Sequence, residues 1–229
     1  MLSFHNDQAI KDFYIARLVA HRDADELIKG IGWTGGKGCA VGCTLHAYNH
    51  KAYEDELGIP EALARIQDRL FECLPDRLSQ QWPIRFLQSI PVGVDLSLVV
   101  WQYLHRIVSD VVEKHGTDDV KKGCAHAIDV LRRKALGEVV TEAEAEAART
   151  AADAADAAYA AAHNVARTVA YAAAAAAYAA AASTASTAFA VADAADAAYA
   201  ARSKSYEYQA DILISLLQAT EVTPHESKP

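Results

Sequence analysis

LSLVVWQYLHRIVSDVVEKH, Leu96–His115, is the stretch on which the fold class turns. The valines from Val92 to Val100 have strand character, because β-branched side chains fit a pleated, half-buried surface. The apolar pattern, however, runs on through Trp101, Leu104, Ile107 and Val108, which is the spacing of one helical face rather than strand alternation. Asp95 stands where an N-cap belongs and Gly116 stops the run. The segment reads as helix, and the chain as all-α.

Upstream the same signals repeat. Asp7 or Asn6 can cap a first helix with Ile10, Phe13, Tyr14 and Leu18 at helical spacing, and Asp23 with Glu26 forms a capping box for a short second helix ending at Gly30. Ala40 to Leu57 reads as one helix stopped by Gly58. Pro60 then opens EALARIQDRLFECL, with Leu63, Ile66, Leu70, Phe71 and Leu74 on one face and Pro75 at its end. Ser79 and Pro83 start another short helix, closed by the IPVG turn, Ile90–Gly93. Beyond Leu96–His115, Thr117 or Asp118 starts a helix that stops at Gly137.

After Gly137 the composition changes. Glycine and proline are absent from Glu138 to Thr223, Thr141 with Glu144 forms a capping box, and 35 of the 60 residues from Ala143 to Arg202 are alanine, the strongest helix former. ADAADAAYA occurs at Ala152–Ala160 and again at Ala192–Ala200, an offset of 40 residues that implies duplicated helical units. The expected organisation is a multi-helix region over 1–137 packed on an alanine-rich helical bundle over 138–220, with breaks near 163–168 and 183–187 and a disordered tail over 221–229. Tyr159, Tyr171, Tyr178 and Tyr199 would fill the bundle core or line a planar ligand.

Charge and targeting signals narrow the function classes. The net charge is -8, with 17 Lys or Arg against 18 Asp or Glu in residues 1–137 and 5 against 12 in the remainder. That balance excludes sequence-independent nucleic-acid binding, which needs a basic surface to release counterions from phosphates. MLSFHNDQAIKDFY lacks a basic segment followed by an apolar run, so no signal peptide is read. The four cysteines then read as reduced cytoplasmic thiols. Thr168–Ala192 carries no charge over 25 residues, but without leucine or isoleucine its transfer energy is weak, so no membrane span is expected.

Chemistry concentrates in GWTGGKGCAVGCTLHAYNH, Gly32–His50, which holds five of the eleven glycines, two of the four cysteines and two of the nine histidines. It is not a phosphate loop of the Walker kind, because Ile31 stands where the first glycine belongs and Gly38 replaces the hydroxyl residue. A dinucleotide fingerprint fails for want of a preceding strand. Gly35, Gly36 and Gly38 can still gather backbone N–H groups into a concavity; Lys37 adds charge and a helix starting near Cys39 adds its dipole end. The alternative is a plain glycine-rich turn.

Cys39, Cys43, His46 and His50 are plausible ligand types, yet on one straight helix their ends lie roughly 16 Å apart, so four cannot meet one ion. No metal or cofactor is expected; the alternative is a pair of these residues joined by donors elsewhere, such as His126, near Cys124. Cys39 at a helix N-terminus beside Lys37 is a candidate nucleophile, with His50 or a distant histidine as base. Otherwise the stripe is core with satisfied histidines, or the wall of a pocket whose mouth is the glycine loop. The candidate ligand-binding residues are Trp33, Thr34, Gly35, Gly36, Lys37, Gly38, Cys39, Cys43, His46 and His50.

Through AADAADAAYAAA and YAAAAAAYAAAA, residues 142–202 resemble the alanine-rich, all-helical domain of Imm-5-like immunity proteins. GKGCAVGCTLH followed by LGIPEALARIQDRLFECLP looks like an uncharacterised family of bacterial and phage proteins. Neither resemblance brings catalytic residues; both imply a conflict-system setting, either immunity to a toxin or counter-defence. The function expected is non-enzymatic sequestration of a small anionic or nucleotide-like signalling ligand in the cytoplasm. The alternatives are an immunity protein whose acidic surface covers a toxin or defence protein, and a hydrolase or transferase using Cys39. Exposed alanine faces would suit a homodimer.

Overall fold

The computed structural model describes residues 1–115, 118–144 and 203–221. The expectations for the alanine repeats, their tyrosines and breaks, the uncharged run at Thr168–Ala192 and most of the C-terminal tail lie outside the described residues. The structure is mostly helical with one small two-stranded sheet, which is the all-α class expected. Among the described residues no helix is long and apolar enough to cross a membrane. Contacts divide the chain into two compact units, Met1–Tyr103 with Ser203–Pro229, and Leu104–Arg202.

The first unit is built on α1 (Gln8–Asp23), a hairpin of β1 (Trp33–Thr34) and β2 (Lys37–Gly38), α2 (Ala40–Leu45), α3 (Ala52–Leu57), α4 (Glu61–Cys73), α5 (Asp76–Ser79), α6 (Trp82–Ser89) and the start of α7 (Val99–His115). Asp7 caps α1 by accepting from the Ala9 amide at 2.8 Å, whereas α7 starts only at Val99: Asp95, expected as its cap, pairs with Leu2 in an isolated antiparallel bridge. α4 is central, packing against α2, α3, α5 and α6, while α1 packs on α2 and α6. Leu63, Leu70 and Phe71 on its buried face join Leu18, Leu57, Trp82, Phe86 and Leu87 in the core. Each such side chain contributes roughly 1.5–3 kcal/mol when fully buried. A helix over residues 203–218 belongs to this unit. It buries Ala210, Leu213 and Leu217, one face at helical spacing, and Gln209 accepts from the Tyr103 hydroxyl at 3.3 Å.

In the second unit, α8 spans Asp118–Ala135 and Gly137 takes φ 75° beyond it. The capping box forms as expected: Glu144 accepts from the Thr141 amide at 2.9 Å, and the Thr141 hydroxyl oxygen accepts from the Glu144 amide at 3.2 Å. Hydrogen bonds from Arg133 and Thr141 hold the Glu144 carboxyl at about 2.

Two further helical expectations are corrected. The short helix between Asp23 and Gly30 does not form. The Glu26 amide instead donates to His21 O at 2.9 Å and the Asp25 amide to Arg22 O at 3.1 Å, with Asp25 at φ 55°. This is a Schellman closure of α1: the polar residues read as a start are a stop. The continuous helix from Ala40 to Leu57 is likewise broken. His46 is left-handed at φ 56°, ψ 28° and ends α2, and α3 starts afresh at Ala52 and stops at Gly58. The Thr44 hydroxyl returns to Ala40 O at 2.7 Å, a bond that competes with the helical ladder.

Candidate functional site: two imidazole centres beside a glycine hairpin

The glycine stretch folds as a hairpin with a two-residue turn. Gly35 and Gly36 have φ 56° and 83°, the positive values that a primed turn requires at both central positions. Trp33 pairs with Gly38 and Thr34 with Lys37. Directly paired residues share a face of the ribbon and successive residues alternate. Thr34 and Lys37 are therefore together on one side, both exposed, and Trp33 lies over Gly38 on the other. The tip stands clear, since nothing lies within 4 Å of where a Cβ would be at Gly35 or Gly36.

The preceding connection anchors this hairpin. Gly38 N donates to Glu26 O at 3.0 Å and Ile28 N to Gly38 O at 2.8 Å. Lys29 reaches Leu74 O at 2.6 Å and Asp76 at 2.7 Å, and the Gly30 amide donates to the Glu72 carboxylate at 2.9 Å.

On the Trp33 side lies a chain of three titratable groups. Glu26 Oε2 is 2.6 Å from His21 Nδ1, and His21 Nε2 is 2.8 Å from His46 Nε2. The His46 ring stacks on Trp33, with centroids 4.8 Å apart and planes 8° from parallel, and His21 meets both rings edge-on. His46 is exposed while the His21 side chain is 11% exposed, so the chain leads from a shielded imidazole to the surface. Burial, then the Arg17 and His21 charges, push His46 below its ordinary value, against the opposing pull of Glu26. Arg17 is held nearby: it donates to Thr44 O at 2.8 Å and its guanidinium lies 4.5 Å from the Phe13 ring centroid.

The second centre is Asp68. His50 Nε2 lies 3.1 Å from Asp68 Oδ2, with side chains 10% and 9% exposed. The Asp68 carboxyl also acts on the Cys39 thiol and the Tyr48 hydroxyl, while its other oxygen, Oδ1, is buried without a hydrogen-bond partner among the described residues. Burial first, then the Asp68 carboxyl, push Cys39 up to about 12; burial pushes Cys43 to about 12 as well. Cys43 Sγ donates to Gly38 O at 3.3 Å. Both thiols are thus protonated at neutral pH, the opposite of an activated nucleophile. In the native protein at pH 8, iodoacetamide is expected to modify Cys73 and Cys124, which are partly exposed, at least tenfold faster than Cys39 and Cys43. Peptide mass mapping at timed quench points checks this; rapid labelling of Cys39 would refute the burial described.

Of the candidate residues, the structure gathers Trp33, Gly38 and His46 in one place and sets Cys39 and His50 near Asp68, which, among the described residues, only His50 bonds. Thr34, Gly35, Gly36 and Lys37 form the exposed tip, and Lys37 faces away from Trp33. Cys43 is buried. Breaking the helix at His46 separates the Cys39, Cys43, His46 and His50 stripe into two centres. Among the described residues no group of three or more His, Cys, Asp or Glu is placed to hold a metal ion.

His21, Glu26, Arg17 and Asp68 escaped the sequence reading. A lone aspartate within a helix is ordinarily solvated, yet Asp68 is 6% exposed. Its spacing from Ala64 and Phe71, i, i+4, i+7, was the available signal. A charge on the buried face of α4 had to be paired. Compared with known proteins, the chain matches no family model, no curated protein and no solved structure.

Proposed function

We propose that this protein is a non-enzymatic binding protein that sequesters a small anionic, nucleotide-like ligand at the Trp33–His46 surface. The observation that supports it is the stacked Trp33–His46 pair, exposed at its imidazole end beside a glycine turn whose tip stands clear of the fold. Aromatic faces take a planar group, and a guanidinium such as that of Arg17 suits an oxyanion. The conflict-system setting, and with it a bacterial or phage cytoplasm, rests on the resemblances of the sequence. A panel of nucleoside mono-, di- and cyclic phosphates in thermal shift and calorimetry tests this reading. One member is expected to raise the melting temperature by several degrees, and Trp33→Ala to weaken its binding by roughly tenfold, the worth of a stacking contact. No stabilisation by any member, with a protein partner co-purifying, would favour the immunity-protein reading instead. One observation supports that second reading: Ile31 and Tyr48, exposed at 37% and 58%, flank Gly32 as an apolar spot suited to a protein contact.

A further inference from the structure

The Glu26, His21 and His46 chain constrains its own protons. Two imidazole nitrogens 2.8 Å apart must share one hydrogen, since two lone pairs repel and two N–H groups collide. The Glu26 carboxylate, 2.6 Å from His21 Nδ1, takes the hydrogen on that nitrogen. In the neutral pair, His21 Nε2 is therefore bare and His46 Nε2–H donates to it, which leaves His46 Nδ1 as an unprotonated acceptor. Adding one proton places it on His46 Nδ1 and turns that atom outward as a charged donor. The resulting cation is spread over two rings and faces Glu26 at its far end. The relay thus has two states differing by one proton at one atom.

Resting on the binding role proposed above, we infer that the ligand's anionic group is an oxyanion of the phosphate-monoester class held at His46 Nδ1, and that its binding takes up one proton. The proton comes from solvent and lies between His46 Nδ1 and a phosphate oxygen; no covalent bond changes. The charged groups acting on His46 are Arg17 and His21 from α1 and Glu26 from the connection before the hairpin. The Arg17 charge keeps the empty site neutral and adds attraction for an anion. A bound dianion reverses the balance. A phosphate monoester fits because its own second proton titrates near pH 6, close to an ordinary imidazole at about 6.5. Either partner can then carry the shared proton.

Calorimetry of the full chain with adenosine 5′-monophosphate, at pH 8 in two buffers of contrasting ionisation enthalpy, counts that proton. The native protein is expected to take up about one, with affinity falling about tenfold per pH unit above pH 7. His46→Asn keeps an amide donor and tolerates the left-handed backbone, so it should bind more weakly with no proton uptake. Native binding without uptake, equal uptake in His46→Asn, or no binding by any phosphate monoester overturns this inference and leaves the binding role standing; no binding by any member of the wider nucleotide panel overturns both. Long-range ¹H–¹⁵N spectra of the free protein at pH 8 give a readout that needs no ligand. They should show His21 protonated at Nδ1 and His46 at Nε2, and a His46 protonated at Nδ1 alone overturns the relay.

Discussion

Gly42→Ala is expected to destabilise the first unit by about 3 kcal/mol or more, at the upper end of overpacking effects. A Cβ at Gly42 would lie 1.8 Å from the Gly32 carbonyl oxygen and 2.9 Å from its carbon. Both obstacles are backbone. Gly32 O is tied to the Cys39 amide at 3.2 Å, and on its other side Gly32 lies against the Tyr48 ring. α2 has no room to retreat either, because all six of its residues are buried. Local propensity points the other way: alanine inside a helix is favoured over glycine by about 1 kcal/mol. The sign of the measured change therefore separates tertiary packing from propensity. Denaturant titration should show a lowered midpoint with an unchanged slope. Gly36→Ala is the control, since its φ of 83° is strained but the space is open, and its loss should be nearer 1 kcal/mol. Native stability in Gly42→Ala would mean that α2 does not sit on Gly32.

Trp82→Ala should cost about 3–5 kcal/mol, the range for deleting a buried aromatic. Trp82 is 1% exposed, and its indole Nε1 donates to Gln67 O at 2.8 Å inside the core. Removing it opens a cavity against α4 and takes one of two donors from that carbonyl, which lies inside the helix, a loss of roughly 0.5–1.5 kcal/mol. Against a typical domain stability of about 5–15 kcal/mol, a substantial unfolded fraction at 25 °C is a plain outcome to look for. Trp82→Phe separates the two causes: it keeps most of the volume and should lose about 0.5–1.5 kcal/mol, mainly through the hydrogen bond. Equal losses in the two variants would show that packing is not what Trp82 provides. Chemical denaturation monitored by circular dichroism measures both.

Helical class was legible because periodicity is local: the i, i+7, i+8 spacing of Leu63, Leu70 and Phe71 reports a buried face without knowledge of what covers it. The Asp7 cap, the Gly58 stop and the Thr141–Glu144 box were legible for the same reason, each being a bond between near neighbours. The Asp23–Glu26 pair shows the limit. Its residues serve equally as a helix start or as the far side of a helix end. The choice depended on Glu26 N reaching His21 O, and on Glu26 having His21 to bind.

The candidate site divided along the same line. Glycine, cysteine and histidine crowding singled out Gly32–His50 as the candidate stretch, and two positive-φ glycines make its turn. What each side chain does there was set by partners at long separation. His46 meets His21, 25 residues earlier, and His50 meets Asp68, 18 residues later. By itself the sequence determined an all-α chain, its main helix boundaries and the stretch where chemistry gathers, because those follow from spacing and backbone preference within a few residues. Only the tertiary structure decided that the stripe breaks at His46, that the thiols are buried and that an imidazole relay reaches the surface. Those depend on which distant groups share a few ångströms, and no local pattern carries that information.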